Sequence, residues 1–213
     1  KSAAVLRNEQ FTPRFAALLE GLVCEDAPAD ACVISTDIAS EGLLSFDAVR
    51  LGLTPVCAVD HHGSNSLACP KLVEADKAAC GEIIHAILLE LGVTVTKRIA
   101  ECLYVAISTD TGCFKFSNVR PQTHLAAAKL ISFGFDTADI NRQLFDVAPM
   151  KQLLLEKTVI DNIRTYLDGK VSLCCITQDM LKGLGLEDSE TDGMTNVVRR
   201  LEGSVVSVTM RPL

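Results

Sequence analysis

The sequence lacks the long apolar runs and basic clusters that characterise several classes of protein. No apolar run approaches the roughly twenty residues that a bilayer-spanning helix needs, so we expect no transmembrane segment and no membrane partner. Lysine and arginine never cluster beyond a pair, and the net charge of −7 argues against binding to long duplex DNA. Internal repeats and low-complexity tracts are also missing. These absences leave an ordinary globular protein.

The nine cysteines include no Cys-x-x-Cys pair, the spacing that is typical of zinc sites and redox motifs. Several of them, including Cys57, Cys102 and Cys174, lie in apolar runs, where a reduced thiol packs as a small hydrophobic group. Their odd number and irregular spacing favour free thiols in a reducing compartment over a disulfide framework. We therefore expect a cytoplasmic protein.

The hydrophobic fraction of 48% suits an α/β protein, whose parallel strands are buried on both faces. Apolar periodicity predicts strands at 2–6, 30–37, 56–60, 171–176 and 204–210. The same analysis predicts helices at 13–22, 46–51, 78–91, 96–108, 121–133, 137–145, 150–167, 178–184 and 194–201. Strands that alternate with helices indicate a parallel sheet with flanking helices.

Three apolar segments end in residues that can bind a metal: one at Asp37, one at Asp60 followed by His61 and His62, and one at Asp110. Strand ends and flanking helices meet along one edge of an open α/β sheet, so we expect these side chains to lie close together. Carboxylates mixed with imidazole suit manganese, iron, zinc or magnesium, and manganese is favoured because carboxylates outnumber imidazoles. The alternative is a polar loop after a strand, with two surface histidines.

In this order and spacing, Asp37, the Asp60-His61-His62 triplet and the Thr-Asp-Thr-Gly segment at 109–112 resemble motifs II, III and IV of the DHH phosphoesterases. The segments 114–118 and 122–124 resemble the continuation in the nanoRNase and pAp-phosphatase branch. The stretches 175–180 and 202–208 resemble the first part of that branch's C-terminal DHHA1 domain.

This resemblance implies an α/β fold with two parts. Residues 1–148 would form the parallel-sheet DHH domain with its flanking helices. Residues 149–213 would form a linker helix and the first part of an α/β DHHA1 domain, which binds substrate in this family.

Two parts of the family pattern are missing from the chain. No His-x-Asp-x-Asp motif precedes Asp37, and no Gly-Gly-Gly-His loop follows the last predicted strand. We therefore expect the chain to be a segment of a longer protein, with one metal ion poorly held in the segment alone.

The resemblance implies a phosphoesterase that hydrolyses short oligoribonucleotides (nanoRNA), pAp, or both, through water activated by two metal ions. Mn²⁺ is the expected ion, with Mg²⁺ or another divalent cation as the alternative. The metal ligands would be Asp37, His61 and Asp110. Asp60 and His62 would be catalytic, since Asp60 would hold His61 in one tautomer and His62 would face the scissile phosphate.

Three further residues are candidates for substrate binding, each with a structural alternative. Asn65 would contact the substrate or shape the loop that carries it. Asn118 would reach the site or stabilise an ordinary turn. His124, at the predicted start of a helix, would meet a phosphate or cap the helix. By contrast, we interpret His85, on the apolar side of a helix, as structural.

The expected partner is a short oligoribonucleotide or another small nucleotide, and a homodimer stays open. Two other functions are compatible with the sequence. The same fold could act as a phosphodiesterase on cyclic-dinucleotide products. The missing first motif would also fit a nucleotide-binding module without catalysis.

Overall fold

The computed structural model describes residues 3–6, 15–24, 26–28, 30–191 and 193–211. It has the mixed α/β architecture that the sequence predicts. The chain divides into two compact units, Lys1–Asp146 and Val147–Leu213. The predicted strand at 2–6 and helix at 13–22 lie partly outside the described residues.

The described part of the first unit contains two parallel sheets. The smaller one pairs β1 (Val5–Leu6) with β2 (Val23–Cys24), and α1 (Ala16–Leu19) connects them. The larger one has the order β3 (Ile34–Thr36), β4 (Cys57–Asp60) and β5 (Lys71–Val73), and α2 (Phe46–Arg50) lies between β3 and β4 in the chain. Because all three strands of the larger sheet are parallel, their carboxyl ends share one edge.

The remaining helices of this unit are α3 (Cys80–Glu90), α4 (Lys97–Asp110), α5 (Pro121–Ile131) and α6 (Thr137–Asn141). A short 3₁₀ turn at Glu41–Leu43 precedes α2, and a π-helical turn at Arg142–Asp146 follows α6. Local chemistry fixes several helix starts. The Ser45 and Thr96 hydroxyls accept hydrogen bonds from the first turns of α2 and α4. The core of the three long helices comprises Ala79, Ala100, Leu103, Tyr104, Ile107, Ala127, Leu130 and Phe135.

Helix α4 is the central helix of this core, packed against both α3 and α5. Its side chains Tyr104 and Ile107 are almost completely buried. Burial of this kind contributes about 1.5–3 kcal/mol per large apolar side chain. The packing therefore fixes the helix firmly, and with it Asp110 at its C-terminal end.

The second unit contains one described sheet in which β7 (Val171–Cys175) is central. It pairs antiparallel with β6 (Arg164–Tyr166) and parallel with β8 (Val206–Met210). The helices of this unit are α7 (Met150–Asp161), α8 (Gln178–Leu184) and α9 (Met194–Arg199), with a 3₁₀ turn at Asp188–Thr191. Its core comprises Leu155, Val159, Cys174, Ile176, Leu181, Leu186, Met194, Val197 and Val198.

The prediction of one helix over 150–167 is wrong beyond Asp161. Residues 164–166 form β6, which turns back onto β7 through a loop in which Leu167 and Asp168 have positive φ. Helical periodicity is a local signal, whereas β6 exists because a later strand pairs with it. The strand β5 was also missed, because three residues are too few to show alternation.

No helix in the described ranges is long and apolar enough to cross a bilayer. All nine cysteines fall within the described residues and are free thiols. The preference for free thiols over a disulfide framework is therefore confirmed.

Candidate metal centre

The carboxyl ends of β3 and β4 bring the acidic and imidazole side chains to one edge of the sheet. Thr36 pairs with Val59, so Asp37 leaves β3 beside the end of β4. Asp37 has a φ of 61°, the left-handed conformation that aspartate tolerates better than most residues. Its N–H donates to the Val59 carbonyl at 3.0 Å, which ties the turn to the neighbouring strand.

The structure brings together the three residues that the sequence proposes as metal ligands. Nε2 of His61 lies 3.4 Å from Oδ1 of Asp37 and 3.7 Å from Oδ2 of Asp110. The two proposed catalytic residues are adjacent. One potential ligand atom from each of Asp37, Asp60, His61 and His62 lies within 4.8 Å of the others. Asp110 is outside that four-residue group and joins the cluster through His61.

Asp60 is completely buried beneath this cluster. Its Oδ1 accepts hydrogen bonds from the His61 N–H at 2.7 Å, the His62 N–H at 3.1 Å and the His62 ring Nδ1 at 2.8 Å. Its Oδ2 accepts from the Asn65 amide at 2.6 Å. Burial alone would raise the pKa of the Asp60 carboxyl, but these hydrogen bonds outweigh it and lower the pKa below its ordinary value. Asp60 is therefore an ionised anchor for the loop.

Asp60 does not hold the His61 ring, contrary to the expectation from sequence. It bonds to the ring of His62, while Nδ1 of His61 lies 3.2 Å from the backbone carbonyl of Lys77. A carbonyl can only accept, so Nδ1 of His61 carries a proton, and in the neutral ring Nε2 is the nitrogen whose lone pair faces Asp37 and Asp110. The sequence could not reveal this partner, because a backbone carbonyl belongs to every residue.

His62 lies at the exposed side of the cluster, with 48% of its side chain accessible. The hydrogen bond to Asp60 raises the pKa of its imidazole above the ordinary value, against the opposing effect of burial. The nearby charges of Asp60, Asp37 and Asp110 act in the same direction as the hydrogen bond. Because Nδ1 is bonded to Asp60, Nε2 is the nitrogen that can donate to an anion.

Asp110 is the last residue of α4, where the helix dipole is negative. Burial and the neighbouring Asp37 raise the pKa of its carboxyl to about 6, although His61 and His62 oppose the shift. Two carboxyl groups and the Nε2 atom of an imidazole thus face one another. This arrangement is unfavourable for the protein alone and favourable around a cation.

A divalent cation fits this donor set. Asp37, His61 and Asp110 offer two oxygens and one nitrogen, a combination that suits manganese, iron, zinc or magnesium. The Lys77 carbonyl holds Nδ1 of His61, which leaves Nε2 as the ring nitrogen for a metal, as supporting hydrogen bonds do in known metal sites.

The three candidates for substrate binding lie around the cluster with other partners. The amide of Asn65 is bonded to Asp60 and to two backbone groups. Asn118 is exposed, and its Nδ2 donates to the carbonyls of Ala78 at 3.0 Å and Asp110 at 3.2 Å. His124 is exposed, and its ring stacks on Phe114 with centroids 5.4 Å apart. None of these three side chains contacts a carboxylate of Asp37 or Asp110 in the described contacts.

His85, interpreted from sequence as structural, is buried in α3. Burial lowers the pKa of its imidazole, and the charge of Lys129 adds to the shift. His85 also lines a cavity of about 340 Å³ between α3 and α5. Asp37, His61 and Asp110 are not among the residues that line this cavity, and its rim carries both acidic and basic side chains. We therefore assign the chemistry to the cluster and not to the cavity.

Comparison with known proteins identifies relatives of this chain, although no protein-family model matches it. The chain is 31% identical over 157 residues to the bifunctional oligoribonuclease and PAP phosphatase NrnA of Thermus thermophilus. The matched residues make up 73% of this chain and 47% of that protein. It is 25% identical over 177 residues to the protein of the same name from Bacillus subtilis, covering 81% and 56%. The chain thus spans about half the length of the curated relatives it matches.

A solved structure has a similar fold. The crystal structure of an exopolyphosphatase-related protein from Bacteroides fragilis superposes with a TM-score of 0.72 at 20% identity, covering 84% of this chain and 54% of that one. At this level of identity the likeness concerns the fold alone. It supports the α/β architecture independently of the sequence matches.

Proposed function

Since the chain belongs to the DHH phosphoesterase family, in the nanoRNase and pAp-phosphatase branch, we propose that it is part of a metal-dependent hydrolase of phosphoester bonds. Its substrates would be short oligoribonucleotides, pAp, or both. The observation that carries the proposal is the convergence of Asp37 and Asp110 on Nε2 of His61. The relatives named oligoribonuclease and PAP phosphatase support this choice of substrates.

Asp37, His61 and Asp110 would hold one divalent ion, with Mn²⁺ as the proposed ion. A bound divalent cation polarises phosphate oxygens and lowers the pKa of water, which is the chemistry that phosphoester hydrolysis needs. Asp37, whose side chain is 42% exposed, would also bridge to a second ion.

His62 and Asp60 would act together on the substrate. A raised pKa increases the protonated fraction of His62 near neutral pH, so its Nε2–H can donate to a phosphate oxygen as negative charge develops. Asp60, ionised and completely buried, would hold the ring through Nδ1. A donor fixed before the reaction costs no reorganisation in the transition state.

Asn118 and His124 would lie beside the bound substrate. Asn118 is bonded to the backbone of Asp110, and His124 presents an exposed ring stacked on Phe114. A stacked, exposed aromatic pair is a suitable surface for a nucleobase. Residues 149–213 would belong to the substrate-binding DHHA1 part, and the protein would act in the cytoplasm, as a monomer or a homodimer.

A turnover assay on the complete polypeptide encoded by the gene tests this proposal. With Mn²⁺ present, we expect release of mononucleotide from a diribonucleotide and of phosphate from pAp, both followed by chromatography. The variants D37N and H61A should abolish turnover, whereas D139N, which changes an exposed carboxylate of α6, should retain it. Cleavage restricted to linear products of cyclic dinucleotides would support the alternative phosphodiesterase. Nucleotide binding without any turnover would support a non-catalytic module.

A further inference from the structure

We propose that Asn65 is a positioning residue that links the loops after β3 and β4, which carry the proposed ligands Asp37 and His61, and that it does not contact the substrate. Both N–H donors of its amide, and one acceptor site of its oxygen, are committed inside the protein. Nδ2 donates to Oδ2 of Asp60 at 2.6 Å and to the Ile38 carbonyl at 2.9 Å, and Oδ1 accepts from the Leu67 N–H at 3.0 Å. A primary amide has two N–H donors, so this geometry leaves no donor for a ligand.

One of these bonds acts on His62 through Asp60. Oδ1 of Asp60 accepts hydrogen bonds from the backbone N–H groups of His61 and His62 and from the ring of His62. Oδ2 accepts a hydrogen bond from Asn65. Because Asp60 is completely buried, these protein groups are its hydrogen-bond partners in place of solvent. Without Asn65, Oδ2 would lose its partner and the carboxylate would be held through Oδ1 alone, so the orientation of the His62 ring would be less tightly fixed.

The other bond acts on Asp37. Ile38 immediately follows Asp37, whose left-handed backbone must be held by its surroundings. The Ser66 N–H adds a parallel link by donating to the Ala39 carbonyl at 2.8 Å. The loop after β3 is therefore tied to the loop after β4 at two successive residues.

The backbone of Asn65 is itself fixed. The ammonium of Lys71 donates to the carbonyls of Asn65 at 2.9 Å and Leu67 at 3.0 Å. Lys71 is the first residue of β5, so these two hydrogen bonds attach the loop that carries Asn65 to the third strand of the sheet. Asn65 thus connects the carboxyl ends of β3 and β4 to the first residue of β5.

The test uses N65A and N65L, which both remove the amide, the second with little loss of volume. Loss of a supporting residue typically reduces metal affinity or activity by about 10–100-fold, and we expect a loss of that order in kcat. KM for the diribonucleotide should stay within about threefold, because no substrate contact is removed. Affinity for Mn²⁺, measured by electron paramagnetic resonance titration, should fall in the same variants. Asp139→Asn, in an exposed position of α6, is the control and should change neither quantity.

The kinetic readout rests on the proposed function, whereas the Mn²⁺ titration does not. If the wild type turned over neither substrate, the proposed function would fail and metal affinity alone would decide the role of Asn65. A raised KM with unchanged kcat and unchanged Mn²⁺ affinity would identify Asn65 as a substrate contact and overturn the inference. A loss of thermal stability with unchanged kcat and unchanged Mn²⁺ affinity would also overturn it. Since N65L fills the space of the amide, it keeps the test decisive if N65A does not fold.

Discussion

Nδ1 of His61 lies 3.2 Å from the carbonyl oxygen of Lys77, and this contact determines what the other ring nitrogen can do. With a proton on Nδ1, the neutral ring has its lone pair on Nε2, which faces Asp37 and Asp110. Three electron-rich atoms facing one another are stable only with a cation or an added proton between them. The Lys77 carbonyl, in the loop before α3, therefore orients the His61 ring for metal binding.

His61→Ala should weaken Mn²⁺ binding by at least the roughly 10–100-fold that loss of a supporting residue costs, because a ligand atom is removed. The circular dichroism spectrum should stay near that of the wild type, since ligand clusters strain the metal-free protein by like-charge repulsion. Electron paramagnetic resonance titration with Mn²⁺ measures the affinity. His124→Ala, which removes an exposed imidazole outside the cluster, should bind Mn²⁺ like the wild type. Equal affinities in wild type and His61→Ala would remove His61 from the ligand set.

Asp110→Asn should flatten the pH dependence of stability in metal-free protein. Folding raises the pKa of Asp110 from 3.8 to about 6, so the folded state holds this proton more tightly than the unfolded state. The stabilisation is therefore full below about pH 4 and is lost as the pH rises to about 6, a change of roughly 1–3 kcal/mol. Urea unfolding between pH 4 and 7, with a chelator present, measures it.

The comparison that matters is the difference between the wild-type and Asp110→Asn curves, since other groups titrate in the same range. The variant should be the more stable protein at pH 7 without metal. Asp139→Asn, an exposed carboxylate of α6, should follow the wild type throughout. If the free energy of unfolding had the same pH dependence in the wild type and Asp110→Asn, folding would not raise the pKa of Asp110.

Gly112→Ala should destabilise the protein by about 1–3 kcal/mol, because the left-handed backbone disfavours alanine and the exposed Phe116 ring must move aside. Gly112 has a φ of 55°, and a Cβ atom there would lie 2.4 Å from the ring of Phe116. Gly134 is a matched control, because it has a φ of 75° with nothing within 4 Å of the added atom. Gly134→Ala should therefore cost only about 1 kcal/mol. Equal losses in urea unfolding of the two variants would contradict the steric contact with Phe116.

Cys80 should resist alkylation in the folded protein. Burial raises the pKa of its thiol to about 12, and the neighbouring carboxylates reinforce the shift. Its Sγ also donates to the Val59 carbonyl at 3.3 Å. Since the thiolate is the reactive form, iodoacetamide at pH 8 should modify the exposed Cys32 and Cys175 first and Cys80 only in urea. Peptide mass spectrometry measures the extents, and modification of Cys80 at the rate of Cys32 would contradict the burial.

The sequence was sufficient to predict the α/β class and most of the helices, because apolar periodicity is a local property. It also supplied the chemical identity and order of Asp37, Asp60, His61 and Asp110, since carboxylates and imidazoles are recognisable wherever they occur. Strand ends that carry such groups predicted a shared edge of the sheet. That prediction needed no knowledge of the side-chain contacts.

Only the tertiary structure decided how the site is assembled. The partner of His61 is the carbonyl of Lys77, a group without any sequence signature, and the tautomer follows from it. The sequence left open whether Asn65 contacts the substrate or shapes its loop, and only folding brings Asp60, Ile38 and Leu67 within hydrogen-bonding distance of its amide. Strands β5 and β6 likewise exist through pairing with β4 and β7. The residue type fixes the functional group of each side chain, whereas its hydrogen-bond partners depend on contacts between distant parts of the chain.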